Sequence, residues 1–146
     1  MLVGGLLALP LFLHSTNDLD RRYSASLNDV FLDGTQPALK GWMPEPSGVF
    51  YTANMDFFYN TFYKNPQADW RYVLGMEPAL MTDADLRIFR RIQLSQYAVS
   101  AYEPWVEKMR PPDRIEVACA SKPNLPQLEW TNVLAGIWIG RLANSH

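Results

Sequence analysis

The sequence predicts an α/β fold: a small Rossmann-like three-layer sandwich with a mostly parallel sheet and a C-terminal antiparallel hairpin. Its 146 residues suit one domain with one core. Strand-like and helix-like apolar runs alternate along the chain, an order typical of parallel strands joined by right-handed crossovers. Two further strand-like runs flank Ala135 and Gly136, which indicates a hairpin. An α+β arrangement with a mixed sheet is the alternative.

The N-terminal run, Met1 to Leu13, is apolar and carries no charged residue. It is shorter than the roughly 20 residues that cross a bilayer core, and no basic residue precedes it as in a secretory signal. We interpret 1–13 as the end of a transmembrane segment; a buried core helix and a signal peptide are the alternatives. Residues 14–47 are predicted to form an amphipathic helix (Asn17–Phe31) and a linker, and 48–146 a soluble α/β domain.

The predicted domain begins with Val49–Ala53, an apolar run typical of a strand in the middle of a parallel sheet. Asn54 can cap a helix through Tyr63 that is aromatic on several sides and must be covered on more than one. The remaining predicted elements are a strand at Trp70–Leu74, a helix from Thr82 to about Tyr97, a helix at Glu103–Met109, a strand at Arg114–Ala120 with Ile115, Val117 and Cys119 inward, and hairpin strands at Leu128–Leu134 and Ile137–Leu142.

Composition and motifs exclude several functions. The net charge of -2 leaves no broad basic field, so nucleic acid is not an expected partner. Cys119 is the single cysteine, which excludes an internal disulfide and a cysteine-built zinc site. His14 and His146 stand at opposite ends of the chain, so a zinc triad and a serine-histidine relay lack their parts. No glycine-rich phosphate loop follows the first strand, and we predict no cofactor.

Candidate binding residues follow the predicted parallel strands, because ligands of open α/β sheets sit beyond the strands' carboxyl ends. This rule selects Asn54 and Asp56 after the first strand, Glu77 after the second, and Ser121 and Lys122 after the third. Two carboxylates could serve as an acid and base pair or as ligands of a hard cation. The alternative is that Asn54 and Asp56 only cap their helix and that Glu77 is solvated.

A resemblance to a known family rests on short motifs within 48–81. They are Asp56 in an aromatic turn, the Asn65-Pro66 break and the run Gly75-Met76-Glu77-Pro78. Together with the closing Trp138–Arg141, these motifs resemble the C-terminal soluble region of polytopic bacterial membrane glycosyltransferases of the dolichyl-phosphate-mannose mannosyltransferase type.

The resemblance implies a noncatalytic accessory domain on the periplasmic, extracytoplasmic face of the bacterial inner membrane. Its expected partners are its own or a neighbouring transmembrane bundle and the membrane surface. The family's catalytic acids lie on an early loop, so no catalytic residue is assigned here. The alternatives are a small-molecule or metal-binding domain that uses the strand-end carboxylates, and an interaction module that uses Trp130 and Trp138 of the hairpin.

Overall fold

The structure is a computed structural model that describes residues 32–143. In this part of the chain, three helices and a five-stranded sheet form an α/β arrangement, which confirms the predicted class. The helices are α1 (Met55–Lys64), α2 (Asp83–Leu94) and α3 (Glu103–Val106). The strands are β1 (Val49–Tyr51), β2 (Arg71–Tyr72), β3 (Arg114–Ala118), β4 (Leu128–Leu134) and β5 (Ile137–Leu142).

Two predictions, the apolar run 1–13 and the amphipathic helix Asn17–Phe31, lie outside the described residues. Among residues 32–143, no helix combines the length and the apolar character that crossing a bilayer requires.

The described strands form one sheet in the order β2-β1-β3-β5-β4. Strands β2, β1 and β3 are parallel, whereas β5 runs antiparallel to both β3 and β4. The predicted hairpin is present, and Gly136 has the positive φ of 75° that its tight turn requires. The sheet is mixed, because β5 inserts beside β3 and pairs with it from Ile115 to Ala118. A Rossmann-like, mostly parallel sheet is therefore not confirmed.

Each face of the sheet has its own apolar cluster, because neighbouring residues of a strand point to opposite faces. On one face, Tyr51 packs with α2 and α3; the other buried members of this cluster include Phe89, Ile92, Trp105, Ile115 and Val117. On the opposite face, Phe50 packs with Phe57 and Ile139. Both faces of the central strands are thus removed from water.

The segment predicted as a linker, 33–47 of the described residues, takes part in this packing. Leu39 and Met43 are buried in the cluster around Phe50. Arg114 of β3 is also buried, and its guanidinium donates to the carbonyl of Gly41 at 3.1 Å. A buried guanidinium needs acceptors, so this bond ties the segment to the sheet. The segment therefore covers one sheet face, a role that its Gly and Pro content did not indicate.

Side-chain caps set the starts of the two longer helices. Asn54 accepts a hydrogen bond from the Phe57 N–H at 3.2 Å, which confirms the predicted start of α1. Thr82 accepts one from the Asp85 N–H at the start of α2. Helix α2 ends at Leu94, before the predicted end near Tyr97, because residues 96 and 97 have left-handed φ angles of 54° and 62°.

The start of β1 is fixed against β3 by a buried carboxylate and a close backbone contact. Asp113 is buried and accepts a hydrogen bond from the Val49 N–H at 2.8 Å. At Gly48, an added Cβ would lie 2.3 Å from the backbone carbonyl oxygen of Pro112. That oxygen also accepts from the Glu45 N–H, so it cannot move aside freely.

We therefore expect Gly48→Ala to lower the free energy of unfolding by about 1–3 kcal/mol, the usual cost of overpacking. Gly75→Ala is the matched control, because the nearest atom to its added Cβ is 3.9 Å away. Urea unfolding of both variants measures the difference. Equal stability of the two variants would show that the contact at Gly48 relaxes without cost.

Candidate functional site

Four of the residues selected by the strand-end rule, Asn54, Asp56, Glu77 and Lys122, are the main ligand-binding candidates, and they are not joined to one another in the described part of the chain. Asn54 caps α1, and Asp56 is exposed in the first turn of that helix. Glu77 and Lys122 are exposed in loops after β2 and β3. Within residues 32–143, no hydrogen bond or ion pair connects any two of the four, and no group of His, Cys, Asp and Glu side chains could hold a metal ion. A shared role for these residues stays a prediction.

A buried carboxyl near the end of β1 is the most unusual polar group of the sheet. Glu116 lies in the middle of β3 and is fully buried. Its Oε2 accepts a hydrogen bond from the Thr52 hydroxyl at 2.8 Å, and that hydroxyl accepts one from the Asn54 N–H at 3.0 Å. Its Oε1 has no partner among the described residues. The carboxyl is thereby linked to the cap of α1.

Burial raises the pKa of Glu116 from 4.5 to about 7, because a charge is poorly solvated inside the protein. The hydrogen bond from the Thr52 hydroxyl and the nearby polar side chain of Asn54 oppose part of this increase. The carboxyl is consequently protonated, and uncharged, in mildly acidic solution. Since it is closed off from solvent, it contributes a titratable group inside the fold and cannot contact a ligand in this state.

The alternating pattern of β3 did not reveal this group. That pattern predicts Ile115, Val117 and Cys119 inward and gives no role to Glu116. The available signal was the central position of β3, because such a strand is buried on both of its faces. Glu116 pairs with Ile139 of β5 in the register of the sheet, which places both residues on the second buried face.

An aromatic groove lies between α1 and β2. This α1–β2 groove has a volume of about 430 Å³ and is lined chiefly by Phe58, Phe62, Asn65, Trp70, Tyr72 and Met76. The rings of Phe58 and Tyr72 meet edge to face, with centroids 5.0 Å apart, and Phe62 stacks on Phe58 at 5.7 Å. The aromatic walls are therefore packed against one another.

The groove is open, and its apolar walls reach the surface. Phe62 is 42% exposed, Met76 is 52% exposed and the adjacent Tyr63 is 66% exposed. The Tyr59 hydroxyl donates to the Met76 carbonyl at 3.0 Å, which joins the loop after β2 to α1. The prediction that the aromatic helix is covered on more than one side is thus only partly met. The uncovered part of the helix includes the groove wall at Phe62 and the neighbouring Tyr63.

The polar side chains that line the groove differ in whether they already make hydrogen bonds within the protein. The Asn65 side-chain amide already makes three hydrogen bonds within the protein: it donates to the Leu32 and Thr61 carbonyls and accepts from the Gly34 N–H. The Trp70 indole nitrogen and the Tyr72 hydroxyl are buried and have no partner within hydrogen-bonding geometry among the described residues. Burial raises the pKa of Tyr72 to about 12, so its hydroxyl keeps its proton.

A second hollow lies beside the hairpin. It has a volume of about 350 Å³, and its walls include Lys122, Leu125, Leu128 and Trp130. The Trp130 indole nitrogen is buried without a described partner, although the ring as a whole is half-buried. Of the predicted ligand-binding residues, Lys122 lines this hollow, whereas Asn54, Asp56 and Glu77 line neither hollow.

Comparisons with protein-family models, with curated proteins and with solved structures give no match. The resemblance to membrane glycosyltransferases therefore stays a prediction, and a binding role has to be argued from the geometry of residues 32–143.

Proposed function

We propose that this chain is a noncatalytic binding domain that holds a polypeptide segment in the α1–β2 groove. The observation that carries the proposal is the exposed aromatic wall of the groove, centred on Phe62. Aromatic residues, Met and Arg are the side chains enriched in protein interfaces, and Phe62, Trp70, Tyr72, Met76 and Arg71 all line the groove. An apolar side chain of the partner would displace water from these walls.

The charge at the groove favours an acidic group on the partner. Arg71 is exposed on β2 and makes no ion pair with any described residue. An acidic side chain of the partner would complement it, as charged residues at the rim of an interface do. The proposed partner is therefore a segment with a large apolar residue and an acidic residue close to it.

The proposed setting is the accessory role that the motif resemblance implies. The bound segment would then come from an extracytoplasmic loop of the chain's own or a neighbouring transmembrane bundle in a glycosyltransferase-like protein. The support for this setting is the motif set of Asp56, Asn65-Pro66 and Gly75–Pro78, together with the exposed aromatic surface.

Phe62→Ala tests the proposal. Short random peptides displayed on phage are selected on the full chain, and the affinity of the enriched peptides is measured for each variant. We expect Phe62→Ala to weaken binding roughly tenfold or more, because it removes a central aromatic contact. Leu94→Ala is the control, since Leu94 is 86% exposed and lies outside the groove.

The fold of each variant is checked by near-ultraviolet circular dichroism before binding is compared. Peptides that bind the Phe62→Ala chain as tightly as the unaltered chain would contradict the proposal. A selection that enriches no peptide, or that enriches only peptides sensitive to Trp130→Ala, would contradict it as well.

A further inference from the structure

The outer edge of the sheet next to the groove is formed by β2. In the described sheet, β2 has a neighbour on one side only, namely β1. The Arg71 N–H donates to the Gly48 carbonyl at 2.9 Å, and the Val73 N–H donates to the Phe50 carbonyl at 3.0 Å. In a parallel ladder, the backbone groups of successive residues point alternately to the two neighbouring strands. Because those of Arg71 and Val73 point to β1, the N–H and C=O of Tyr72 point away from it. No described residue pairs with these two groups.

The same residue that presents this open edge is a wall of the groove. The Tyr72 ring packs against Phe58 at 5.0 Å and Phe62 at 6.3 Å. A strand that paired with Tyr72 would place every second side chain on the face of the Tyr72 ring, within reach of these aromatics. The Arg71 side chain lies on the opposite face of the sheet from the Tyr72 ring. It would therefore meet the side chains on the other face of an added strand.

The other described edge, β4, is less suited to pairing. The register between β4 and β5 shifts between Asn132 and Leu134, and such a bulge bends an edge strand. Glu129 on β4 is held in an ion pair with Arg141 at 2.9 Å. Charged side chains and bulges are the features by which natural sheets discourage added strands. The described β2 edge has no bulge, and its one charged side chain, Arg71, makes no ion pair with a described residue, so it can meet an acidic residue of an added strand.

We propose, on the basis of the function proposed above, that the partner segment binds as an extended strand added to β2. Its backbone pairs with the N–H and C=O of Tyr72. One of its apolar side chains enters the α1–β2 groove, and an acidic side chain next to it faces Arg71. Main-chain hydrogen bonds supply affinity in this mode, and the groove and Arg71 supply specificity.

A scan of single N-methylated backbone amides in a selected peptide tests the strand geometry. N-methylation removes one N–H at a time and leaves the side chains in place. We expect a loss of roughly tenfold or more at the one amide that donates to the Tyr72 carbonyl, and little change at the amides on either side of it. Affinity is measured for the unaltered chain and for Phe62→Ala with each peptide.

The two proposals fail in different ways. If Phe62→Ala weakens binding but no single amide of the peptide is sensitive to methylation, strand addition is wrong and the groove proposal stands. If Phe62→Ala has no effect, the groove proposal is wrong, and the strand proposal falls with it.

Arg71→Glu provides a second arm of the test. It should weaken binding of the acidic peptide by roughly tenfold, and a peptide with Lys in place of the acidic residue should recover binding to this variant. Arg71→Gln is the control, with a smaller loss. An unchanged affinity in Arg71→Glu would overturn the assigned acidic contact.

Discussion

Glu116→Gln should gain stability relative to the unaltered chain as the pH rises from 4 to 8, with a total change of about 3 kcal/mol. Burial raises the pKa of Glu116 from 4.5 to about 7 in the folded chain. The amide keeps the shape of the side chain and an acceptor for the Thr52 hydroxyl, but it cannot ionise. The variant therefore lacks the cost of a buried charge.

The direction of this stability change follows from the pKa values of the Glu116 carboxyl in the unfolded and folded chains. Below pH 4.5, the folded and unfolded chains both hold the proton, and ionisation costs nothing. Between pH 4.5 and 7, the unfolded chain releases the proton while the folded chain keeps it, so the free energy of unfolding falls as the pH rises. Above pH 7, the folded chain is ionised as well, and the cost is complete.

Urea unfolding of Glu116→Gln and of the unaltered chain at several pH values measures this change. Subtracting their free energies of unfolding at each pH removes the contribution of the groups that titrate alike in both. Glu107→Gln is the matched control, because Glu107 is exposed and its replacement alters the charge equally. A Glu116→Gln difference that is constant from pH 4 to 8 would show that Glu116 is not desolvated in solution.

Trp105→Ala should lower the free energy of unfolding by about 3–5 kcal/mol, as expected for removal of a large buried ring. Trp105 has no exposed surface, and its ring contacts Tyr51 at 5.8 Å and Tyr102 at 6.1 Å. Its indole N–H donates to the Asp85 carboxylate at 2.9 Å, which joins α3 to the start of α2.

Trp105→Phe separates the two contributions of this side chain. Phe fills most of the volume but cannot donate to Asp85, which still accepts from the Thr82 hydroxyl. We expect a cost of about 1–2 kcal/mol for this variant. Urea unfolding at one pH measures both variants. A loss below about 1 kcal/mol in Trp105→Ala would contradict the central position of this ring in the core.

The elements that the sequence predicts correctly are those with local chemical signals. The cap residues Asn54 and Thr82 mark the starts of α1 and α2, and Gly136 marks the hairpin turn. These signals act over a few residues, so they can be read without knowing the rest of the fold.

The features that the sequence did not predict depend on pairing between distant segments. No sequence signal within a few residues of β3 or β5 indicates that β5 inserts beside β3 and makes the sheet mixed. The burial of Leu39 and Met43 likewise follows from the exposed sheet face that they cover. The sequence predicts a strand over Trp70–Leu74, but β2 has only two residues. Its ladder with β1 is short, and no described strand pairs with its other side.

The candidate site was predictable only in part. The aromatic surplus of α1 is visible in the sequence, but which of its rings stay uncovered depends on the position of β2. The sequence suggests Asn54 as a ligand-binding residue, whereas the structure shows it as a helix cap whose backbone N–H also donates to the Thr52 hydroxyl. Glu116 lies far from these residues in sequence, so its contact with Thr52 is a product of the β1–β3 pairing.

The most direct test of the binding proposal is a nuclear magnetic resonance titration of the isotope-labelled full chain with a selected peptide. The proposal predicts that the largest chemical-shift changes occur at the Tyr72 amide, the Trp70 indole N–H, and the amides around Phe62 and Met76. Changes concentrated at Lys122 and Trp130, with the groove unaffected, would contradict it.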